Sequence, residues 1–189
     1  MKHYTAIRPE ELALNPWKSF GHDWAVLAAG GRKKHNAMTV SWGGFGVLWG
    51  KPVVTLYLRP QRYTRGFIEK KGKFSLNFLK ESEENRKAMR YIGGVSGRDG
   101  DKMKKAGLAY NLEKKTPTIQ DAEIVMNCRV IYRGRIEKGN FINRELIKEN
   151  YPDKDYHFVY LAEITECLVK DEDDDAAEKE ENETKEKDA

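Results

Sequence analysis

The sequence has no apolar run long enough to span a membrane, and its opening residues, MKHYTAIRPEEL, contain no apolar signal region. The chain is therefore expected to stay in the cytoplasm. Cysteine is scarce: Cys128 and Cys167 stand alone with no C-x-x-C pair, which argues against a disulfide framework and a zinc site. The four histidines include no H-E-x-x-H pair, so no metal centre is expected. Glycine-rich fingerprints are missed as well. After Gly44 and Gly46 a dinucleotide-binding G-x-G-x-x-G would need a third glycine where Trp49 stands. A phosphate loop fails because Gly50-Lys51 is followed by Pro52, and a nucleophile elbow fails because Thr39 replaces its first glycine.

What the chain does have is charge, unevenly spread. Residues 170–189 hold eleven acidic residues and four lysines, which leaves 30 basic and 19 acidic residues in 1–169, a net +11. The acidic stretch has no apolar residue larger than alanine and is expected to be a disordered tail behind one folded domain, 1–169. The basic residues of that domain come in small groups (Arg32 to Lys34, Lys70 to Lys73, Lys102 to Lys105), not in one stripe, and no nucleic-acid motif accompanies them. Only weak, sequence-blind nucleic-acid binding is expected. A nucleic-acid-binding barrel is the reading that charge alone would support.

Strand patterns dominate: WAVLAAG from Trp24, AMTVSW from Ala37, PVVTLYLR from Pro52, KFSLNFL from Lys73, and two longer late segments, AEIVMNCRVIYRGRIEKG and YHFVYLAEITECLV. In KFSLNFL, Phe74, Leu76 and Phe78 fall on one face and Ser75 and Asn77 on the other. Short helices are predicted after Thr64, after Ser82 and after Ser96, each with a hydroxyl cap and a glycine stop. The strands do not alternate with helices, so the expected fold is mainly β: an antiparallel barrel with peripheral helices.

One constellation carries chemistry. Thr39 and Ser41 share a strand face. The segment RPQRYT places Arg59, Arg62 and Thr64 around a proline-fixed turn, at the start of a helix whose free amides favour an anion. Guanidinium forks, hydroxyls and a helix N-terminus suit a phosphomonoester. Trp42, Phe45 and Trp49 offer flat apolar surface for a planar ring. The alternative for the same residues is arginines paired with surface carboxylates and tryptophans packed in a core. Trp17 and Trp24 are expected to be core or loop anchors, and the two cysteines buried fillers.

The run NAMTVSWGGFGVLWGKPVVTLYLRPQRYT, followed by FSLNFL, GGVSGRDGDK and a late YHFVYLAEI, resembles the flavin reductase-like FMN-binding family, particularly its flavoredoxin branch, over about residues 15–168. The resemblance implies a split β-barrel, a homodimer, and FMN near the dimer interface. It places Thr39, Val40, Ser41 and Trp42 along the isoalloxazine and ribityl chain. It also places Arg59, Arg62, Tyr63 and Thr64 around the phosphate, Asn77 facing the flavin, and Ser96, Gly97 and Lys102 closing the site. Reductases of the family position the nicotinamide with a His in a Gly-Asp-His motif. Here His157 follows Asp155 and Tyr156, so the Gly-Asp portion of that motif is lost and the His alone remains. The implied function is an FMN-binding oxidoreductase that takes electrons from NADH or NADPH. The alternative is a flavoredoxin-like carrier without NAD(P)H activity, its basic body suited to an acidic redox partner.

Overall fold

The computed structural model describes residues 3–171; residues 172–189, most of the acidic stretch, lie outside the described residues. The described residues form ten strands: β1 (Tyr4–Ile7), β2 (Ala25–Gly31), β3 (Lys34–Val40), β4 (Gly43–Leu48), β5 (Lys51–Leu58), β6 (Lys73–Phe78), β7 (Tyr110–Asn111), β8 (Thr118–Ile119), β9 (Ile124–Arg135) and β10 (Phe158–Lys170). The helices are α1 (Pro16–Lys18), α2 (Tyr63–Lys71), α3 (Glu83–Gly94), α4 (Lys102–Lys105) and α5 (Glu145–Asn150). Every strand pairing is antiparallel.

The main sheet runs β3-β2-β6-β9-β10-β5-β4, with β1 added on β10. Its two ends, β3 and β4, are separated in sequence only by Ser41 and Trp42. Laid flat, six inter-strand steps of about 4.8 Å would part them by nearly 30 Å. Three residue steps reach only about 11 Å. The sheet therefore rolls up until its ends meet, leaving a seam at Ser41–Trp42. The result is an antiparallel barrel, as the strand pattern implies, split at the seam, as the family resemblance implies.

Inside the roll lies a core of Leu27, Leu56, Phe74, Leu76, Met126 and Tyr160 among others. A second cluster forms outside the sheet, where α3, α4 and β8 cover β2 and β3 with Met89, Ile92, Met103 and Ile119. Strand β2 serves both: Ala25, Leu27 and Ala29 point into the barrel, Val26 and Ala28 into the second cluster. Burial on both faces explains why WAVLAAG reads as a continuous apolar run.

Several expectations need correction. The strands read from the sequence leave out GGFGVL, yet it forms a regular strand, β4, turned back onto β5 at Trp49 and Gly50, both with positive φ (53° and 69°), the hairpin geometry that matches strand twist. Gly43 is needed for packing, since a Cβ there would lie 2.6 Å from the Thr55 carbonyl and 2.8 Å from the Phe20 ring. Trp17 anchors nothing, being 83% exposed. Ser82 caps α3 as expected, accepting from Asn85 N, but Thr64 is inside α2, whose cap residue is Arg62 with no side-chain cap. Ser96 forms a turn, accepting from Arg98 N, and the following helix, α4, is capped instead by Asp101.

Candidate functional site

Proline at position 60 ends β5, and a turn closed by Arg62 N on the Arg59 carbonyl leads into α2. Because no side chain caps α2, its first amides are left for another partner. This helix start lies beside the barrel seam. Two adjoining cavities of about 120 and 190 Å³ form a groove there, and Met38 and Arg62 line both.

The smaller half is the seam itself, lined by Thr39, Val40, Ser41, Trp42, Tyr57, Arg59 and His157. Trp42 is half exposed, and its ring centre lies 5.0 Å from that of His157. The Thr39 hydroxyl donates to the Met89 carbonyl at 2.5 Å, tying the strand to α3. Buried His157 is held at Nδ1 by the Tyr151 hydroxyl, 2.8 Å away. Burial, assisted by the Arg59 charge, lowers its pKa to about 4, so the imidazole is neutral at physiological pH. When Tyr151 donates, Nε2–H remains as the ring's donor.

The larger half surrounds the start of α2, with Tyr63, Thr64, Ser96, Gly97, Arg98 and Lys102 in its wall. Asn36 Nδ2 donates to Thr64 Oγ1 at 2.8 Å. Gly97 passes so close to Asn36 that a Cβ would meet its Oδ1 at 1.9 Å. Buried Lys102 donates to the Ile92 and Val95 carbonyls at 2.6 and 2.9 Å, capping the end of α3. Burial and then the neighbouring Arg62 charge lower its pKa to about 8. Arg98 stacks over the Tyr63 ring at 4.5 Å.

The two arginines of RPQRYT part company. Arg59 pairs with Asp155 at 2.5 Å, donates to the Asn150 carbonyl at 3.0 Å and lies over the Tyr151 ring at 5.4 Å. It lines the groove with its fork already engaged. Arg62 makes one hydrogen bond, Nη1 to the Gly93 carbonyl at 2.9 Å, and the rest of its guanidinium is open.

Asn77 does not join the groove. It is fully buried on the opposite side of β6, where Nδ2 donates to the Val26 carbonyl and Ser75 Oγ, both at 2.9 Å. Its Oδ1 accepts from Ile119 N at 2.9 Å. The polar face of KFSLNFL thus pins β8 to the barrel and does not line the groove. Sequence reasoning missed Asn36, Tyr57, Arg98 and Tyr151. Arg98 stood within GGVSGRDGDK, next to residues that were chosen; Tyr151 carried no local signal.

A larger cavity of about 570 Å³ lies between β1, β7 and β8, but its wall contains no arginine. Of these cavities, the seam groove is the one where an open arginine fork and a helix start meet.

A family model described as "Flavin reductase like domain" matches residues 17–180. The chain belongs to that family. Its fold is similar to that of an FMN-binding domain of a flavin reductases-like enzyme from Shewanella baltica OS155 (17% identity, TM-score 0.59, covering 89% of this chain and 78% of that one). It is also similar to the flavoredoxin of Desulfovibrio vulgaris Miyazaki F (19% identity, TM-score 0.58, 88% and 78%). A third is the styrene monooxygenase flavin reductase of Pseudomonas putida S12 (18% identity, TM-score 0.56, 78% and 79%). Among curated proteins none matches the chain. Among the described residues no helix is long and apolar enough to cross a membrane.

Proposed function

We propose that this flavin reductase-like chain binds FMN in the seam groove and works as an oxidoreductase on electrons supplied by NADH or NADPH. The observation that carries the reading is the meeting, at one groove, of an open arginine fork and an uncapped helix start with an aromatic slot. The first two suit a phosphate, and Trp42 with its neighbours suits a planar ring.

In this assignment Arg62, the first amides of α2, Ser96, Gly97 and Arg98 hold the phosphate, and Lys102 adds charge from behind. Thr39 to Trp42 run along the ring and its side chain, the backbone closely apposed at the seam. Hydride and electron transfer are the flavin's own chemistry. The chain's part is to bind, orient and exclude water. His157 stays neutral, locked by Tyr151, and offers a fixed hydrogen-bonding edge at the ring end, where a nicotinamide would have to approach.

A flavoredoxin-like carrier that keeps its FMN and serves an acidic partner protein is the second reading, favoured by the net +11 of residues 1–169. In either case the chain is proposed to pair with itself. In support, β4 is an unpaired edge, and Val47 and Trp49 at its end are about three-quarters exposed. Steady-state oxidation of NADH and NADPH, with and without added FMN, separates the two readings. Turnover supports the reductase. A protein that quenches FMN fluorescence saturably yet oxidises neither nucleotide is the carrier. No saturable FMN binding refutes both.

A further inference from the structure

Strand β9 carries a bulge whose consequence lies away from the groove. Met126, Cys128 and Val130 point into the barrel core. Unbroken alternation would next send Tyr132 and Gly134 inward and turn Arg133 and Arg135 out to the other face. The register shifts instead: Val130 faces Ala162, Tyr132 faces Leu161, and Ile131 is the extra residue. Arg133 now lies opposite Tyr160, and Arg135 opposite Phe158. Tyr160 is a core residue and Phe158 packs against the core, so the bulge aims both arginines at the barrel end covered by α2.

There they meet a third. The guanidinium carbons of Arg65, Arg135 and Arg133 stand 4.4, 5.6 and 5.9 Å from the centre of the Phe158 ring. A single carboxylate answers them. Glu69 Oε1 takes Arg65 at 2.5 Å and Arg133 at 2.8 Å, with the Tyr160 hydroxyl at 3.3 Å. Arg135 has no carboxylate partner among the described residues. Two positive charges are therefore left unbalanced around one ring. Arg65 is also fixed by its Nε bond to the Pro60 carbonyl at 3.1 Å, so much of the cluster is ordered in advance.

We propose that Arg65, Arg133 and Arg135 form a second anion site, separate from the flavin groove, that takes a phosphomonoester group. A compact dianion matches two unbalanced charges gathered on one side chain. Planar forks give it bidentate contacts. A broad acidic protein face would need the charge spread over many residues. The phosphate could arrive free or as part of a nucleotide, such as the 2′-phosphate that distinguishes NADPH from NADH.

The test follows the arginine Nε–Hε signals of the full chain by NMR in an Arg62→Ala background, which removes the groove's open fork. Inorganic phosphate is titrated against chloride at matched ionic strength, and NADPH against NADH. The expected result is saturable movement of the Arg65, Arg133 and Arg135 signals with phosphate but not chloride, weakened about tenfold by Arg135→Ala. If NADPH moves them at lower concentration than inorganic phosphate, and NADH does not, the nucleotide is the source. If NADPH is no better than inorganic phosphate, the site takes the free anion. Absence of saturable movement with either phosphate or NADPH, or equal movement with chloride, overturns the proposal. Fluorescence titration of FMN into the unsubstituted chain reports on the groove separately, so failure of the flavin reading does not decide this one.

Discussion

Replacing Arg62 by alanine should separate FMN from riboflavin, two ligands that share the ring and differ by the phosphate. In the folded chain Arg62 makes one internal hydrogen bond, to the Gly93 carbonyl, and leaves the remainder of its fork to the groove. A hydrogen bond to a charged group contributes roughly 1.5–3 kcal/mol, so losing the phosphate contact should weaken FMN about ten- to a hundredfold. Riboflavin should lose little. Arg62→Lys should restore only part of the difference, because an ammonium keeps the charge without the planar fork. Arg59→Ala supplies the contrast. Its partners are Asp155, Asn150 and Tyr151, so its loss should appear chiefly as reduced stability and disturbed packing around Tyr151. Trp42→Ala should weaken both ligands alike. The assay is fluorescence titration of each ligand, run beside a denaturant midpoint for each variant. Equal loss of FMN and riboflavin in Arg62→Ala would refute the phosphate role, as would a larger FMN effect from Arg59 than from Arg62.

Asn77→Ala strands the Ile119 amide and the Val26 carbonyl in the interior and should cost on the order of 3 kcal/mol in chemical denaturation, with FMN affinity of the folded protein unchanged; lost FMN binding without lost stability would return Asn77 to the flavin. Because the Lys102 ammonium titrates near 8, FMN affinity should fall as pH rises through that value while riboflavin affinity stays level, and a flat FMN profile between pH 7 and 10 would detach Lys102 from the phosphate. His157 has a pKa of about 4 when folded against 6.5 ordinarily, so below pH 6.5 the unfolded chain takes up a proton that the folded one refuses. Stability is full above pH 6.5 and should fall by up to about 3 kcal/mol toward pH 4, a slope that His157→Gln should remove; an unchanged slope in that variant would show His157 to be charged or exposed.

Much of the architecture was legible because it rests on periodicity. Strands β2, β5, β6, β9 and β10 follow from apolar alternation or continuous β-branched runs, and α3 from a serine cap followed by a buried stripe of Ala88, Met89 and Ile92. The failures share a cause. Gly43 to Leu48 is missing from the strands read in the sequence because glycine weakens strand propensity. The position of Gly43 is set by what packs against it, the Thr55 carbonyl and the Phe20 ring, and neither is local in sequence. The resemblance turned the polar Ser75–Asn77 face toward the ligand through Asn77, yet a short hairpin from forty residues downstream covers and satisfies it. Alternation gives a face; it does not say what lies on it.

The same limit governs the site, and Arg59 and Arg62 show it most sharply. They are three residues apart, identical in type, on one turn, and both border the groove. Sequence assigned them a single role. What separates them is Asn150 and Asp155, brought alongside from 91 and 96 positions further on, which occupy one fork and leave the other open. On β9 the sign of the effect is reversed: strict alternation would have paired Arg133 and Arg135 with the outer face, and one inserted residue, Ile131, turns them onto Phe158. A guanidinium contributes to binding only through donors that the fold has not already used. Counting arginines near a groove therefore overstates its affinity for an anion, and tracing each fork to its partners reduces the count to those that remain free. In this chain that reasoning selects Arg62 at the seam and Arg135 at the barrel end, and predicts that either can be removed with the other site intact.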